Sequence, residues 1–178
     1  MVSNLVYLAK KHLKEHNWAK AIEYFEQYMN QINYQCDDGI YVSYAKCLRI
    51  VGETERAKKV LTEGRTLHPG SENILRELFN LYDILGDWKA AENAANTLIE
   101  MNPNQANYHF LLGRVYAFLS EDKRAEQVFK TGLKYKHKMP FDSLIRIVQQ
   151  SITDNTAKVS SQYIFTMGRN NLGGFIHF

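Results

Sequence analysis

Residues 75–103, LRELFNLYDILGDWKAAENAANTLIEMNP, decide the fold. Apolar residues recur in this stretch at intervals of three and four, the spacing that places them on one face of an α-helix. Gly86 interrupts the pattern near its middle and Pro103 ends it. Glycine suits the left-handed residue that follows a helix, whereas proline cannot continue one. The stretch therefore predicts two antiparallel helices joined by a short turn.

The same pattern lies on both sides of this stretch. Ala57, Ala91 and Ala125 are spaced by 34 residues, and Ala21 lies 36 residues before Ala57. We therefore expect two extra residues in the connection at 31–37, because loop-closure entropy rises slowly with length. The spacing predicts helices over 3–15, 18–32, 38–50 and 54–67 in the first two units. Small side chains at these alanines allow the paired helices to cross closely.

Residues 2 to about 137 resemble four tetratricopeptide repeats, on position-specific small and large residues that recur at this period. The resemblance implies an all-α fold, a right-handed superhelical solenoid of antiparallel helix pairs. The expected units are 2–35, 38–71, 72–105 and 106–139. An apolar stripe at 140–153 predicts a C-terminal capping helix. Phe79 departs from the small residue expected in its helix, so we expect the helices of the third unit to be spread apart.

Residues 154–178 differ in composition from the repeats. Two short aromatic and β-branched runs, at 162–166 and 175–178, flank a segment rich in Gly and Asn, which favours a β-hairpin. Two interpretations stay open. The segment is a linker and the start of a truncated further domain, or it is a tail that packs on the capping helix or on a partner chain.

Composition limits the class of protein. The chain has 22 Lys and Arg against 19 Asp and Glu, a net charge of +3, which is low for a dedicated nucleic-acid binder. Neither of its two cysteines has metal-ligand spacing, and no apolar run is long enough to cross a membrane. We expect a cytoplasmic protein with reduced thiols that binds neither nucleic acid nor membrane.

No constellation of residues predicts chemistry. His12 and His16 have the spacing of a metal pair but lack a third ligand, so we expect a core histidine and a turn histidine. Cys47 is expected to be a buried structural thiol. The carboxylates, Glu77 and Glu92 among them, are expected on solvated helix faces. The sequence therefore predicts no catalysis, no cofactor and no metal.

In the tetratricopeptide family, the first helix of each unit lines a concave groove. The position that reads Lys10, Lys46, Asn80 and Arg114 forms a ladder of hydrogen-bond donors, which suits the carboxylates of an extended peptide. The residues that the resemblance places in the peptide-binding groove are Val6, Lys10, Val42, Lys46, Arg49, Arg76, Asn80, Asn107, Phe110 and Arg114. The alternative is that these are ordinary solvated helix faces.

The leading hypothesis is a non-catalytic protein-interaction module or scaffold that binds an extended, acidic peptide segment. The alternative is the N-terminal docking or oligomerisation region of a larger, transferase-like enzyme whose catalytic domain begins near residue 160. A secretion-type chaperone and an RNA-binding protein are further alternatives, and the low net charge argues against the last. Self-association through the terminal repeat or the tail is a further hypothesis.

Overall fold

The computed structural model describes residues 2–31, 36–135, 144–146 and 149. The described residues contain no strand; they form eight helices with defined bounds, and residues 144–146 and 149 are also helical. The helices are α1 (Val2–Lys14), α2 (Trp18–Gln31), α3 (Asp38–Ile50), α4 (Thr54–Leu67), α5 (Glu72–Leu85), α6 (Trp88–Met101), α7 (Ala106–Phe118) and α8 (Asp122–Leu133).

The predicted all-α architecture of short helices is confirmed. Helices α3 and α4 have the bounds that the sequence predicts, and α2 is helical over all the described residues of the predicted 18–32. Of the predicted capping helix, residues 144–146 and 149 are described and are helical. The remainder of that helix and the β-hairpin at 162–178 lie outside the described residues.

In each of the four repeats, the turn between the two helices contains a residue with a left-handed backbone conformation. Gly52 and Gly86 have φ values of 86° and 69°, as expected of glycines after a helix. His16 and Ser120 hold the equivalent positions with φ values of 57° and 60°. The turn at Ser120 is closed by hydrogen bonds from Ser120 N to Ala117 O and from Glu121 N to Tyr116 O. Repeats that lack the glycine therefore keep its backbone conformation. A residue other than glycine in this conformation lowers the stability of the fold by about 1 kcal/mol.

The chain divides into two compact units, Met1–Gly86 and Asp87–Phe178, and the boundary lies in the turn between α5 and α6. In the first unit, α3 packs against α2, α4 and α5, while α1 packs against α2. In the second unit, α7 packs against α6 and α8. The alanines expected at the helix crossings are fully buried; they are Ala21, Ala57, Ala91 and Ala125. Ala9 of α1 and Ala45 of α3 are fully buried as well.

Glycine permits close helix contacts within each unit. A Cβ atom added at Gly113 of α7 would lie 2.2 Å from Cε1 of Phe129, and one added at Gly64 of α4 would lie 2.7 Å from Cγ of Tyr41. Phe79 is also fully buried. Its predicted effect on the spacing of α5 and α6 is not tested, because these helices belong to different units.

Candidate peptide-binding surface

The first unit carries seven of the groove residues, on α1, α3 and α5. Lys10, Lys46 and Arg76 are exposed. The other groove residues of this unit are half-buried or buried; they are Val6, Val42, Arg49 and Asn80. In the part of the chain that is described, no carboxylate forms an ion pair with Lys10, Lys46 or Arg76. Arg76 instead donates from Nη2 to Oδ1 of Asn73 at 3.0 Å.

Glu77 is buried, which corrects the expectation that it lies on a solvated surface. Its side chain is 3% exposed, and its Oε1 accepts a hydrogen bond from Nε of Arg49 at 2.9 Å. Its Oε2 accepts one from Nδ2 of Asn80 at 3.2 Å. Two of the predicted groove donors are therefore engaged by an internal carboxylate. A buried ion is tolerated when its partners neutralise it and occupy its lone pairs.

The second unit places its groove residues differently. Asn107 is half-buried, but Phe110 is 1% exposed and Arg114 is 7% exposed. Arg114 also has a bonding or electrostatic partner in the chain. Eleven of the thirteen residues of α7 are buried, so apolar and polar faces of this helix are covered alike. The ladder of donors is exposed at Lys10 and Lys46, half-buried at Asn80 and buried at Arg114.

A polar network links the three helices of the second unit. The Tyr116 hydroxyl donates to Oε1 of Glu92 at 3.0 Å, and Nη2 of Arg124 donates to the same oxygen at 3.1 Å. The Arg124 guanidinium lies 3.9 Å from the centre of the Tyr116 ring, and its Nη1 donates to Glu121. Glu92 is 8% exposed, so the prediction that it lies on a solvated surface is wrong.

The network controls the ionisation of Glu92. Burial alone would raise the pKa of this carboxyl, but hydrogen bonds from Lys89 and Tyr116 and the charges of Lys89 and Arg124 lower it overall. Burial, followed by the hydrogen bond with Glu92, raises the pKa of Tyr116. Glu92 is therefore held as a carboxylate that joins α6, α7 and α8.

The first unit contains the same three residue types in a similar network. The Tyr44 hydroxyl donates to Oε1 of Glu26 at 3.2 Å, and Arg56 donates to Glu26, to Glu53 and, at 3.1 Å, to the Tyr44 oxygen. Tyr44 precedes its arginine by 12 residues, whereas Tyr116 precedes its arginine by eight. The tyrosine is thus one helical turn earlier in α3 than in α7.

The sequence analysis missed both networks. Their arginines are 68 residues apart, twice the period, so Arg56 and Arg124 are a detectable signal. Glu53 and Glu121, which accept hydrogen bonds from these arginines, keep the same interval, but the tyrosines and the other two glutamates, Glu26 and Glu92, do not. Because the one-turn shift removes them from register, a search for residues at a fixed interval does not find them.

The structure also locates the residues considered for other chemistry. His12 stacks on Tyr24 with ring centres 5.5 Å apart, and His16 contacts Trp18 edge-on. Burial raises the pKa of the Cys47 thiol to about 11, which suits the predicted structural thiol. Among the residues with described positions, no cluster of three or more His, Cys, Asp or Glu could hold a metal ion. No described helix has the length and apolar character that crossing a bilayer requires.

Comparison with known proteins identifies the repeats. Residues 48–115 match the family model described as tetratricopeptide repeat. No curated protein matches the chain. The fold is similar to that of a tetratricopeptide repeat protein from Parabacteroides merdae ATCC 43184, with a TM-score of 0.79 and 21% identity over 97% of this chain and 67% of that one.

Two further solved structures share the fold. MamA from Desulfovibrio magneticus RS-1, residues 41 to the end, has a TM-score of 0.77 and 13% identity, over 95% of this chain and 96% of that one. TTC0263, a tetratricopeptide repeat protein of Thermus thermophilus, has a TM-score of 0.62 and 18% identity, over 94% and 89%. The resemblance deduced from the sequence is thereby confirmed: residues 48–115 match the model of the tetratricopeptide repeat family, and the chain has the fold of tetratricopeptide repeat proteins.

Proposed function

We propose that this chain is a non-catalytic interaction module that binds an extended, acidic segment of a partner protein on the first-helix faces of its first unit. The tetratricopeptide fold supports a protein-interaction role in general. The side chains of α1, α3 and α5 support the more specific proposal that the partner segment is acidic.

The observation that carries the proposal is the difference between two sets of cations. Arg49 is neutralised by the buried Glu77, whereas Lys10, Lys46 and Arg76 are exposed without a described carboxylate partner. These three residues hold groove positions of successive repeats. Lys10 and Lys46 hold the same repeat position, and Arg76 lies one helical turn before that position in the third repeat. Exposed cations on three successive repeats suit an extended chain with several carboxylates, since charge-assisted hydrogen bonds are among the stronger ones.

Val6 supplies apolar surface beside these charges. It is half-buried and packs against the core of the first unit. An extended peptide presents side chains alternately to its two sides, so it can direct carboxylates to the lysines and an apolar residue to Val6. The preferred ligand is therefore an acidic segment with interspersed apolar residues.

Fluorescence anisotropy with a labelled peptide of about ten residues, rich in Glu and containing Leu, tests the proposal. The Lys10→Glu/Lys46→Glu variant should bind at least about tenfold more weakly than the native chain, because each reversal replaces attraction by repulsion. Affinity of the native chain should also fall as salt rises. The thermal midpoint should change little, since both lysines are exposed.

A matched control separates the site from net charge. Lys20→Glu/Lys59→Glu makes the same charge change at exposed positions of α2 and α4, the second helices of their repeats. This variant should bind the peptide nearly as well as the native chain. Equal losses in the two variants would show non-specific attraction and would reject the groove, as would a native chain that does not bind.

The alternative of a larger, transferase-like enzyme depends on the chain near and beyond residue 160. That region lies outside the described residues, and no feature within 2–31 or 36–135 favours catalysis. The interaction module is therefore the function that we argue.

A further inference from the structure

Two exposed isoleucines lie at the ends of first helices in the first unit. Ile50 is the last residue of α3 and is 48% exposed, while Ile84, one residue before the end of α5, is 57% exposed. They are 34 residues apart and hold the same repeat position. Val51 and Leu85, which follow them, are also exposed. Single apolar residues on a surface are ordinary, but an exposed apolar pair that recurs in successive repeats indicates a contact surface.

The two isoleucines lie at the same end of the unit, because α3 and α5 pack against each other and run in the same direction. At the start of the helices, Oγ of Ser71, the residue before α5, donates to Oδ2 of Asp38 on α3 at 2.5 Å. Towards the end of α3, Arg49 donates to Glu77 of α5. The axes of packed helices lie about 8–10 Å apart, which is therefore the spacing expected between the isoleucines.

The exposed cations of these helices precede the isoleucines. Lys46 lies one turn before Ile50, about 6 Å along the axis of α3, and Arg76 lies about two turns before Ile84, about 12 Å along α5. Intervals of four and eight residues keep a cation and its isoleucine within one helix face. Two rows therefore cross α3 and α5, a cation row of Lys46 and Arg76 and an apolar row of Ile50 and Ile84.

We propose that the partner segment alternates acidic and apolar residues and lies extended across α3 and α5, between the cation row and the apolar row. The inference rests on the proposed function and specifies its ligand. Successive side chains of an extended chain point to opposite sides, and those on one side recur every ~7 Å, close to the spacing of the two helices. One side can then direct carboxylates to the cation row while the other directs apolar side chains to the apolar row.

The size of the apolar surface favours a peptide over a second copy of the chain. A stable protein interface buries about 800 Å² on each partner, which is far more than four partly exposed aliphatic side chains can supply. The gap of about 6–12 Å between the rows also accommodates an extended backbone, since neighbouring strands in a sheet lie about 5 Å apart. A segment that carries carboxylates satisfies the adjacent cations as well.

Three labelled peptides of about ten residues test the inference by fluorescence anisotropy on the full chain. The first alternates Glu and Leu, the second has the same composition with all Glu before all Leu, and the third alternates Glu and Ser. All three carry the same charge. The alternating Glu–Leu peptide should bind at least about fivefold more tightly than either of the others, because it alone brings apolar groups to the apolar row while its carboxylates contact the cations.

Variants of the chain assign this preference to the isoleucines. Ile84→Ser should reduce the preference and Ile50→Ser/Ile84→Ser should abolish it, while binding of the Glu–Ser peptide stays within about twofold of the native value because the cations remain. Leu67→Ser is the matched control for Ile84→Ser, since Leu67 is 51% exposed at the last residue of α4, the second helix of its repeat. This control should keep the full preference.

The possible results separate the inference from the proposed function. If the Glu–Ser or the unmixed peptide binds as tightly as the alternating Glu–Leu peptide, or if the preference survives in Ile50→Ser/Ile84→Ser, the inference is wrong and the proposed function stands. If none of the peptides binds the native chain, both are wrong. Sedimentation that shows a native dimer and a monomeric double variant would also overturn the inference, because the isoleucines would then join two copies of the chain.

Discussion

Helices α3 and α7 are the first helices of the second and fourth repeats, both 13 residues long and placed 68 residues apart in the chain. Lys46 of α3 is exposed, whereas Arg114, at the same repeat position of α7, is buried. Gly39 of α3 is exposed and its equivalent in α7, Asn107, is half-buried. A repeat position thus fixes where a side chain points from its helix. Its exposure depends on which other segments pack there.

The largest expected effect is the difference in stability between a substitution at a glycine of α7 and one at a glycine of α3. Gly113→Ala should lower the free energy of unfolding by about 1–3 kcal/mol, because the new Cβ would overlap the Phe129 ring. Gly39→Ala in α3 meets no atom within 4 Å, and it should raise that free energy by about 0.5–1 kcal/mol. Urea unfolding of both variants measures the difference. A neutral Gly113→Ala would show that α7 and α8 can separate at little cost.

The next effect compares the two carboxylates that join these helices to their neighbours. Glu92→Gln should lower the free energy of unfolding by about 1.5 kcal/mol, because a buried carboxylate with charged partners is removed. Glu26→Gln should cost less than about 1 kcal/mol, since Glu26 and Arg56 are 41% and 48% exposed. Thermal unfolding checks the order. Equal costs would indicate that burial does not strengthen the network at α7.

A smaller effect concerns the ends of the two helices. Ser120→Gly should raise the free energy of unfolding by about 1 kcal/mol, because the residue after α7 has a positive φ that glycine adopts without strain. Gly52→Ala after α3 should lower it by about the same amount. Chemical denaturation of the pair should give opposite signs. Two changes of the same sign would contradict the assignment of strain to this backbone position.

The smallest effect is a dependence on pH. Hydrogen bonding with Ser71 is the main cause that lowers the pKa of Asp38 on α3, while the pKa of Glu92 is lowered as described above. A carboxyl whose pKa is lower when folded contributes stability that is complete above its unfolded pKa, near 4.5 for Glu92, and is lost as pH falls through the folded value. The Glu92→Gln variant should therefore lose less stability than the native chain between pH 5 and pH 3. Glu55→Gln, at an exposed position of α4, should follow the native curve.

The sequence predicted the helices, the turns and the buried alanines because these depend on local spacing. Residues such as Ala57 and Gly52 keep their roles in any repeat of this type. The burial of Glu77 was not predictable in the same way, because its partner Arg49 lies 28 residues earlier on another helix. The burial of Arg114 was not predictable either, because periodicity gives the position of a residue on its helix and does not describe what packs over it.

The one-turn offset between the Glu26–Tyr44–Arg56 and Glu92–Tyr116–Arg124 networks has a consequence for how such repeats diverge. The arginine stays at one repeat position, and its long, forked side chain reaches acceptors on either of two successive turns. Tyrosine and glutamate can then move together by a turn while the contact between helices survives. One arrangement can therefore replace the other in a repeat without loss of the contact between helices, provided that the arginine is retained.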